Sequence, residues 1–319
     1  MAEPVRPDYS VVIPVYNSET TLAPLYERLT AVFAEMGKRF EVIFVNDCSG
    51  DNSKQVLVEL AKNHDNVVFV DLLRNFGQHN AVMCGFSQVR GDFAITMDDD
   101  MQNPPEEIPK LIAKLESDDL EVVYGSPTNK QHQHYRNVGS DTIHAVLKVL
   151  FRLKGNRESS FRLLTRKIVD CLLRFDNTFI FLDGLIYQNT SFVGYVDVEH
   201  KPRTVGASNY SLSRLISLSL NLFFSFSITP LRVIFILGMV LFLASLVYGA
   251  YIFVARIMGL ISFPGFATVM ILMSLLFGIM FMFMGVLGEY LGRIAININR
   301  APQYSIRSVT RGDDNNKAS

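Results

Sequence analysis

The sequence lacks several features that would assign it to a familiar class at once. It has only three cysteines, far apart in the chain, which are too few for a disulfide framework or a zinc site. The formal net charge is −1, so no basic excess points to a nucleic-acid partner. The first residues contain no apolar stretch of the kind that directs secretion. We therefore expect a chain that works in a reducing cytosol, with its chemistry on the cytoplasmic side.

Two glycine-rich nucleotide-binding motifs are also missing. The chain contains neither G-x-G-x-x-G nor G-x-x-x-x-G-K-[ST]. The first motif is typical of dinucleotide oxidoreductases and the second of P-loop NTPases. Their absence argues against both classes.

Charged residues are scarce in the last third of the chain. Val233–Ala255 is an uncharged run of 23 residues, and Pro264–Gly288 is another of 25. At about 1.5 Å per residue each run would span roughly 34–38 Å as a helix, enough to cross a bilayer. Basic residues flank the pair, whereas the connector 256–263 carries one charge, so the positive-inside rule places both flanks in the cytoplasm. Before them, Ser211–Ile228 is predicted as a helix in the membrane interface, with an ordinary core helix as the alternative.

From the amino terminus, short apolar runs alternate with helical patterns. This alternation predicts an α/β fold with a mostly parallel sheet covered on both faces. Helices are expected from about Thr20, Asn52 and Gln78, and after Pro105. Only Gly312–Ser319 is predicted to be disordered. The predicted strands are Tyr9–Val15, Phe40–Val45, Val67–Leu72, Phe93–Met97 and Leu120–Tyr124.

Three consecutive aspartates, Asp98, Asp99 and Asp100, directly follow one of these strands. The carboxyl ends of parallel strands are where open α/β sheets bind ligands. Carboxylate oxygens there suit a hard cation such as Mg²⁺ or Mn²⁺, which neutralises a diphosphate. Polar residues also follow the other strands, and each alone could be a helix cap. Four such turns on one sheet edge are better explained by a nucleotide crevice.

Five motifs follow one another along the chain: VIPVYN (12–17), VNDCSGD (45–51), RNFGQ (74–78), MDDDMQNPPE (97–106) and HKPRTVGASNY (200–210). With these motifs the chain resembles a known family, the inverting GT-A glycosyltransferases of family 2, and within it the polyprenyl-phosphate glycosyltransferases. The resemblance covers roughly residues 8–305. It implies a cytoplasmic GT-A (Rossmann-like) domain at 1–210, an amphipathic interfacial helix at 211–230, a two-helix transmembrane hairpin at 231–292 and a cytoplasmic tail at 293–319.

The resemblance also implies roles for individual residues. A lysine is common in the family where this chain has Asn209, which leaves one fewer cation for phosphate. Nucleotide contacts are expected from Pro14, Tyr16, Asn17, Glu19, Asp47, Asn75 and Asp98. Ligands for Mg²⁺ or Mn²⁺ are expected from Asp98, Asp100 and Gln102. The lipid phosphate is expected to meet Arg136, Ser159, Arg162 and Arg203. Catalysis is assigned to Asp98, Asp99, Asp100, Arg136 and Arg203. By residue type, acid–base chemistry is open to His79, His132, His134 and His200, although a surface or capping role is expected for each.

The implied function is inverting transfer of a sugar from a nucleotide sugar to the phosphate of undecaprenyl phosphate. The expected product is a lipid-linked monosaccharide for cell-envelope glycans, made on the cytoplasmic face of the inner membrane by a multi-pass protein with both termini inside. A UDP-sugar is the expected donor and GDP-mannose the alternative.

A non-catalytic nucleotide-sugar scaffold is a second alternative. A processive polysaccharide synthase is disfavoured because the chain has no tryptophan for a Q-x-x-R-W element. Gly278, Gly285 and Gly292 recur every seven residues and predict either a homo-oligomer or intramolecular packing of the two spans.

Overall fold

The computed structural model describes residues 6–127, 159–175, 180–200, 229–258, 265–298 and 302–315. The chain forms two compact units, residues 1–209 with 300–319 and residues 210–299. Two predicted phosphate-binding residues, Arg136 and Arg203, lie outside the described residues, and so does the predicted interfacial helix.

The first unit begins with four strands that alternate with four helices. The strands form because their apolar runs are buried on both faces, and every residue of the first strand is buried. The first four of the five predicted strands are confirmed here, with ends that differ by at most one residue. The strands are β1 (Tyr9–Val15), β2 (Phe40–Asn46), β3 (Val67–Leu72) and β4 (Phe93–Thr96). The helices are α1 (Leu22–Met36), α2 (Ser53–Asn63), α3 (Gln78–Phe86) and α4 (Ile108–Ser117).

The second half of this unit continues the same sheet. It contains β5 (Val122–Pro127), β6 (Arg162–Thr165), α5 (Arg166–Leu172), α6 (Leu182–Asn189) and β7 (Val193–Val198). The order across the sheet is β7-β5-β6-β4-β1-β2-β3, followed by a final strand described below. β1, β2, β3 and β4 are parallel to their neighbours in this group, whereas β6 runs antiparallel to β4 and β5. The predicted α/β fold with a mostly parallel sheet is confirmed.

The antiparallel direction of β6 matters for the site. Its first residue, Arg162, pairs with Thr96 near the end of β4 and with Tyr124 of β5. A parallel strand would place its last residue there instead. β6 therefore brings a cation to the edge of the sheet where the aspartates lie.

The carboxyl-terminal segment adds a strand that the sequence did not predict. β8 (Ile306–Arg311) lies antiparallel to β3 at the edge of the sheet, and α9 (Gly312–Asn315) follows it. The prediction of disorder for Gly312–Ser319 is therefore wrong for its first four residues. Composition does not report the ion pair between Asp313 and Arg90, at 2.9 Å, which holds α9 on the first unit.

The second unit contains the two long helices α7 (Thr229–Ile257) and α8 (Phe266–Ile298). Counting only the residues that the structure describes, no helix is both long and apolar enough to cross a membrane. The predicted transmembrane pair is not confirmed and stays a prediction.

Candidate active site

The turns after β1 and β2 are tied together by backbone amides. The amide of Asn17 donates to Ser49 Oγ at 3.1 Å, and Asn17 Oδ1 accepts from the amide of Gly50 at 2.7 Å. The amide of Glu19 donates to Asp51 Oδ2 at 3.1 Å. Asn17 has a φ of 56°, a left-handed conformation that asparagine tolerates well. These bonds hold the predicted nucleotide residues at the carboxyl edge of the sheet, next to the exposed ring of Tyr16.

Asp47, at the end of β2, organises the loop before α3. Its carboxylate is buried, and its two oxygens accept from the amides of Phe76 and Gly77 at 2.7 and 2.8 Å. Burial raises the pKa of Asp47, although these two bonds act to lower it. The expected contact of Asp47 with base or ribose stays a prediction. The observed role of the side chain is to fix the loop that carries Asn75, whose Nδ2 donates to the Asp47 carbonyl at 3.3 Å.

Asp98 is held from two sides. Gln78 Nε2 donates to Asp98 Oδ1 at 2.6 Å, and Ser160 Oγ donates to Oδ2 at 2.5 Å. Gln78 begins α3, and Ser160 lies just before β6, so three separate elements fix one carboxylate. Thr96 Oγ1 also donates to the Ser160 carbonyl at 2.6 Å and holds that segment against β4.

Asp99 connects the end of β4 to the turn after β1. Its Oδ2 accepts from the amide of Tyr16 at 3.1 Å, and its carbonyl accepts from Thr21 Oγ1 at 2.6 Å. Burial, and to a smaller extent the neighbouring carboxylates of Asp98 and Asp100, raise the pKa of Asp99 to about 6 against the lowering effect of its hydrogen bonds. Its position makes Asp99 a bracing residue of the edge.

Asp100 and Gln102 lie in the turn that follows. Asp100 Oδ1 accepts from the amide of Gln102 at 3.1 Å, and Met101 between them has a φ of 59°. Within the described ranges, no three or more His, Cys, Asp or Glu side chains are grouped to hold a metal ion. The predicted set has two carboxylates and one amide, and its hard oxygen donors at the sheet edge fit Mg²⁺ or Mn²⁺. Metal binding therefore stays a prediction with a suitable donor set.

A cavity of about 180 Å³ opens beside Asp98. Its volume is below the 300–1,000 Å³ that is usual for drug-sized ligands, so it suits a small polar group. It lies between the end of β4, the start of α3 and the start of β6. Its lining residues include Pro14, Gln78, His79, Asp98, Ser159, Ser160, Arg162 and Asp183.

A buried ion pair forms one wall of this cavity. Arg162 is only 4% exposed, and its Nη1 lies 3.1 Å from Asp183 Oδ1. The same oxygen accepts from the hydroxyl of Tyr124 at 3.0 Å, and Arg162 Nε donates to the Ser159 carbonyl at 3.1 Å. Burial lowers the pKa of His79, which also lines the cavity, so this ring is neutral at pH 7.

Comparison with known proteins agrees with this architecture. A family model of glycosyl transferase family 2 matches residues 10–175. The chain belongs to glycosyltransferase family 2. A second model, the GtrB C-terminal hairpin, matches residues 229–294.

Two relatives resemble this family 2 chain over almost their whole length, and both are named undecaprenyl-phosphate 4-deoxy-4-formamido-L-arabinose transferase. The one from Photorhabdus laumondii is 36% identical and covers 96% of this chain and 94% of the relative. The one from Proteus mirabilis is 37% identical and covers 94% of this chain and 93% of the relative. Among solved structures, glucosyl-3-phosphoglycerate synthase from Mycobacterium tuberculosis with Mn²⁺ and UDP-glucose has a TM-score of 0.48 at 17% identity, covering 69% of this chain and 77% of that one. The predicted family membership is confirmed.

In this family 2 chain the described site differs from the predicted one in two respects. The sequence predicts a surface or capping role for His79, whereas its ring lines the cavity. It did not identify Asp183, because this aspartate lies 21 positions after Arg162 and only the fold brings them together. A hint was available in the apolar neighbours of Asp183, since a carboxylate among them needs a partner.

Proposed function

We propose that this family 2 glycosyltransferase transfers a sugar from a nucleotide sugar to the phosphate of a polyprenyl phosphate. The observation that carries the proposal is the 36–37% identity to undecaprenyl-phosphate sugar transferases over nearly the whole of both chains. The carboxylates of Asp98, Asp99 and Asp100 at the carboxyl edge of the sheet support it, since this edge is where such sheets bind ligands.

The chemistry needs positioning more than a strong base. An oxygen of the lipid phosphate attacks the anomeric carbon, the carbon–oxygen bond to the diphosphate breaks, and the nucleoside diphosphate leaves with the electron pair. A phosphate monoester has a second pKa near 6 and is largely dianionic at neutral pH. The nucleophile therefore has no proton to lose. A divalent cation bound by Asp98 and Asp100, with Gln102, would neutralise the charge on the leaving diphosphate.

The residues around these carboxylates serve this reaction by fixing the orientation of the carboxylate groups. Gln78 and Ser160 fix the orientation of Asp98, and the Tyr16 amide fixes Asp99. Preorganised groups of this kind lower the barrier because no reorganisation is needed during the reaction. Two arginines, Arg136 and Arg203, remain the proposed cations for the lipid phosphate, because a guanidinium matches phosphate geometry.

A UDP-sugar is the proposed donor, with GDP-mannose as the alternative, and the proposed location is the cytoplasmic face of the inner membrane. The membrane location is supported by the two uncharged runs of the sequence. It is also supported by large apolar side chains that are exposed on both long helices, such as Phe235, Val247, Phe281 and Leu291.

The test is a transfer assay with membranes that contain the chain. They are incubated with undecaprenyl phosphate and a panel of UDP- and GDP-sugars, and the extracted lipids are analysed by mass spectrometry. We expect one donor to give a lipid-linked monosaccharide. Nucleotide binding without any lipid product would favour the scaffold alternative and refute transfer.

A variant tests the proposed metal ligands in the same assay. Asp100→Asn should abolish product formation while the chain stays folded, because Asp100 is not part of the buried core. Excess EDTA should have the same effect on the wild type, and added Mg²⁺ or Mn²⁺ should reverse it. Full turnover by the variant or in EDTA would refute the metal assignment.

A further inference from the structure

The cavity beside Asp98 has a charge balance that favours a neutral occupant. Its charged lining residues are the cation Arg162 and the carboxylates of Asp98 and Asp183. His79 adds no cation, since burial holds its ring neutral. With a divalent cation compensating Asp98, the remaining pair of Arg162 and Asp183 has no net charge, so this wall offers no excess positive charge to a phosphate group. The contact of Ser159 and Arg162 with the lipid phosphate stays a prediction, and the paired wall itself suits a neutral polar group.

The buried ion pair in the cavity wall is incompletely satisfied within the described residues. Arg162 Nη1 makes no hydrogen bond there, because its 3.1 Å approach to Asp183 lacks hydrogen-bond geometry. Buried ion pairs often contribute little to stability, and buried donors without a partner are rare in native proteins. An acceptor atom on a bound ligand would supply the hydrogen-bond partner that this guanidinium lacks.

The carboxylate of Asp183 complements this donor. Its Oδ1 is engaged by Tyr124 and Arg162, and no bond to Oδ2 is found in the part of the chain that the structure describes. The wall therefore offers a fixed N–H donor next to a fixed carboxylate acceptor. A ligand group that both donates and accepts, such as a pair of neighbouring hydroxyls or an acylamino group, matches this pattern.

We propose that Asp183, held by Arg162 and Tyr124, is a specificity-determining residue for the sugar that is transferred. This inference rests on the proposed function. The sugar is bonded to the diphosphate, so it must lie directly beside Asp98, where the cavity opens. Asp183 accepts a hydrogen bond from a hydroxyl or amide N–H of the sugar, and Arg162 donates to a neighbouring oxygen. Sugars that carry a carboxylate are rejected by Asp183.

The experiment measures binding of nucleotides and nucleotide sugars to the purified full chain by calorimetry, with Mn²⁺ present. The ligands are UDP, GDP, the donor found active in the transfer assay, its deoxy analogue and UDP-glucuronic acid. Asp183→Asn should weaken binding of the active donor by about 10- to 100-fold, the loss expected for one hydrogen bond to a buried charge. Binding of the nucleoside diphosphate should stay within about 2-fold. The variant should also bind UDP-glucuronic acid more tightly relative to the neutral donor.

Two further variants separate specificity from folding. Tyr124→Phe removes one hydroxyl but leaves the ion pair intact, and it should weaken sugar binding in the same direction by about 2- to 10-fold. Glu41→Gln is the matched control. Glu41 is also buried and paired with an arginine, Arg90, but it lies near the amino ends of the parallel strands, away from the aspartates. This control should lower thermal stability and leave the ratio of sugar to diphosphate binding unchanged.

The possible failures can be distinguished. If Asp183→Asn weakens the neutral donor, UDP-glucuronic acid and the nucleoside diphosphate equally, the residue has a structural role and the inference is overturned. An unchanged ratio in both Asp183→Asn and Tyr124→Phe overturns it as well. If neither UDP nor GDP binds to the wild type, the proposed function fails and this inference fails with it.

Discussion

Asp47 gives the sharpest test of how the site is built. Its two carboxylate oxygens accept from the amides of Phe76 and Gly77 at 2.7 and 2.8 Å, and the side chain is buried. Asp47→Asn keeps the shape but replaces one acceptor with an NH₂ group that faces a backbone N–H. One hydrogen bond to a charged group is lost, and one buried amide is left without a partner.

The size of this effect follows from those contacts. A bond to a charged group contributes about 1.5–3 kcal/mol, and an unsatisfied buried donor costs about 1–3 kcal/mol. Burial raises the pKa of Asp47 in spite of the two bonds, so desolvation of the charged carboxylate outweighs their effect on its ionisation and reduces the net loss. We therefore expect a loss of about 2–3 kcal/mol in the free energy of unfolding. For a unit of this size, that loss lowers Tm by roughly 4–12 °C.

The assay is thermal unfolding of the full chain in detergent, followed by circular dichroism because the sequence has no tryptophan. Nucleotide affinity is measured on the same samples and should also fall, since the loop that Asp47 holds leads to Gln78 and so to Asp98. Asp8→Asn is the control. Asp8 also accepts a hydrogen bond from a backbone amide, that of Arg39, but at an exposed position. The Tm of this variant should therefore change little. An unchanged Tm with weaker nucleotide binding for Asp47→Asn would refute the bracing role and favour direct contact with base or ribose.

Three further predictions concern the proposed membrane topology, the homo-oligomer and the proposed lipid-phosphate site. A reporter fused after Ser319 should behave as cytoplasmic and a label at Gly259 should be reachable from outside; the opposite accessibility would refute the topology. Gly285→Leu should weaken a homo-oligomer in detergent, because a Cβ added at Gly285 meets no described atom within 4 Å and the helix is open there; a monomeric wild type would contradict this. Arg203→Ala should lower turnover and weaken the dependence on polyprenyl phosphate while nucleotide binding stays unchanged, and Arg203→Lys should restore turnover only partly. Equal losses in lipid dependence and in nucleotide binding would assign Arg203 a structural role.

Much of the first half of the fold could be predicted from local patterns. β1 and β3 were predicted with their observed ends, because each is an apolar run between polar turns. β5 was predicted as Leu120–Tyr124 but runs from Val122 to Pro127, since its end is set by pairing with β7 and not by composition. β8 was missed because its residues are mostly exposed and polar, and its position depends on β3, which lies more than 230 residues earlier.

The site was predictable only in part for the same reason. The aspartates after β4 are a local signal, because they follow a strand directly in the sequence. The wall formed by Arg162 and Asp183 depends on an antiparallel strand and a later helix, which no local pattern reports. The assignment of Arg162 to the lipid phosphate came from the motif alone, which does not show that the guanidinium is buried.

The central claim is glycosyl transfer onto a lipid phosphate, and the most direct measurement is the stoichiometry of the two products. The purified chain is incubated with undecaprenyl phosphate and its active nucleotide sugar, and both the released nucleotide and the lipid are quantified by mass spectrometry. Glycosyl transfer predicts one nucleoside diphosphate released for each lipid monophosphate that gains a sugar. Release of a nucleoside monophosphate with a lipid diphosphate, or nucleotide release with no lipid product, would contradict it.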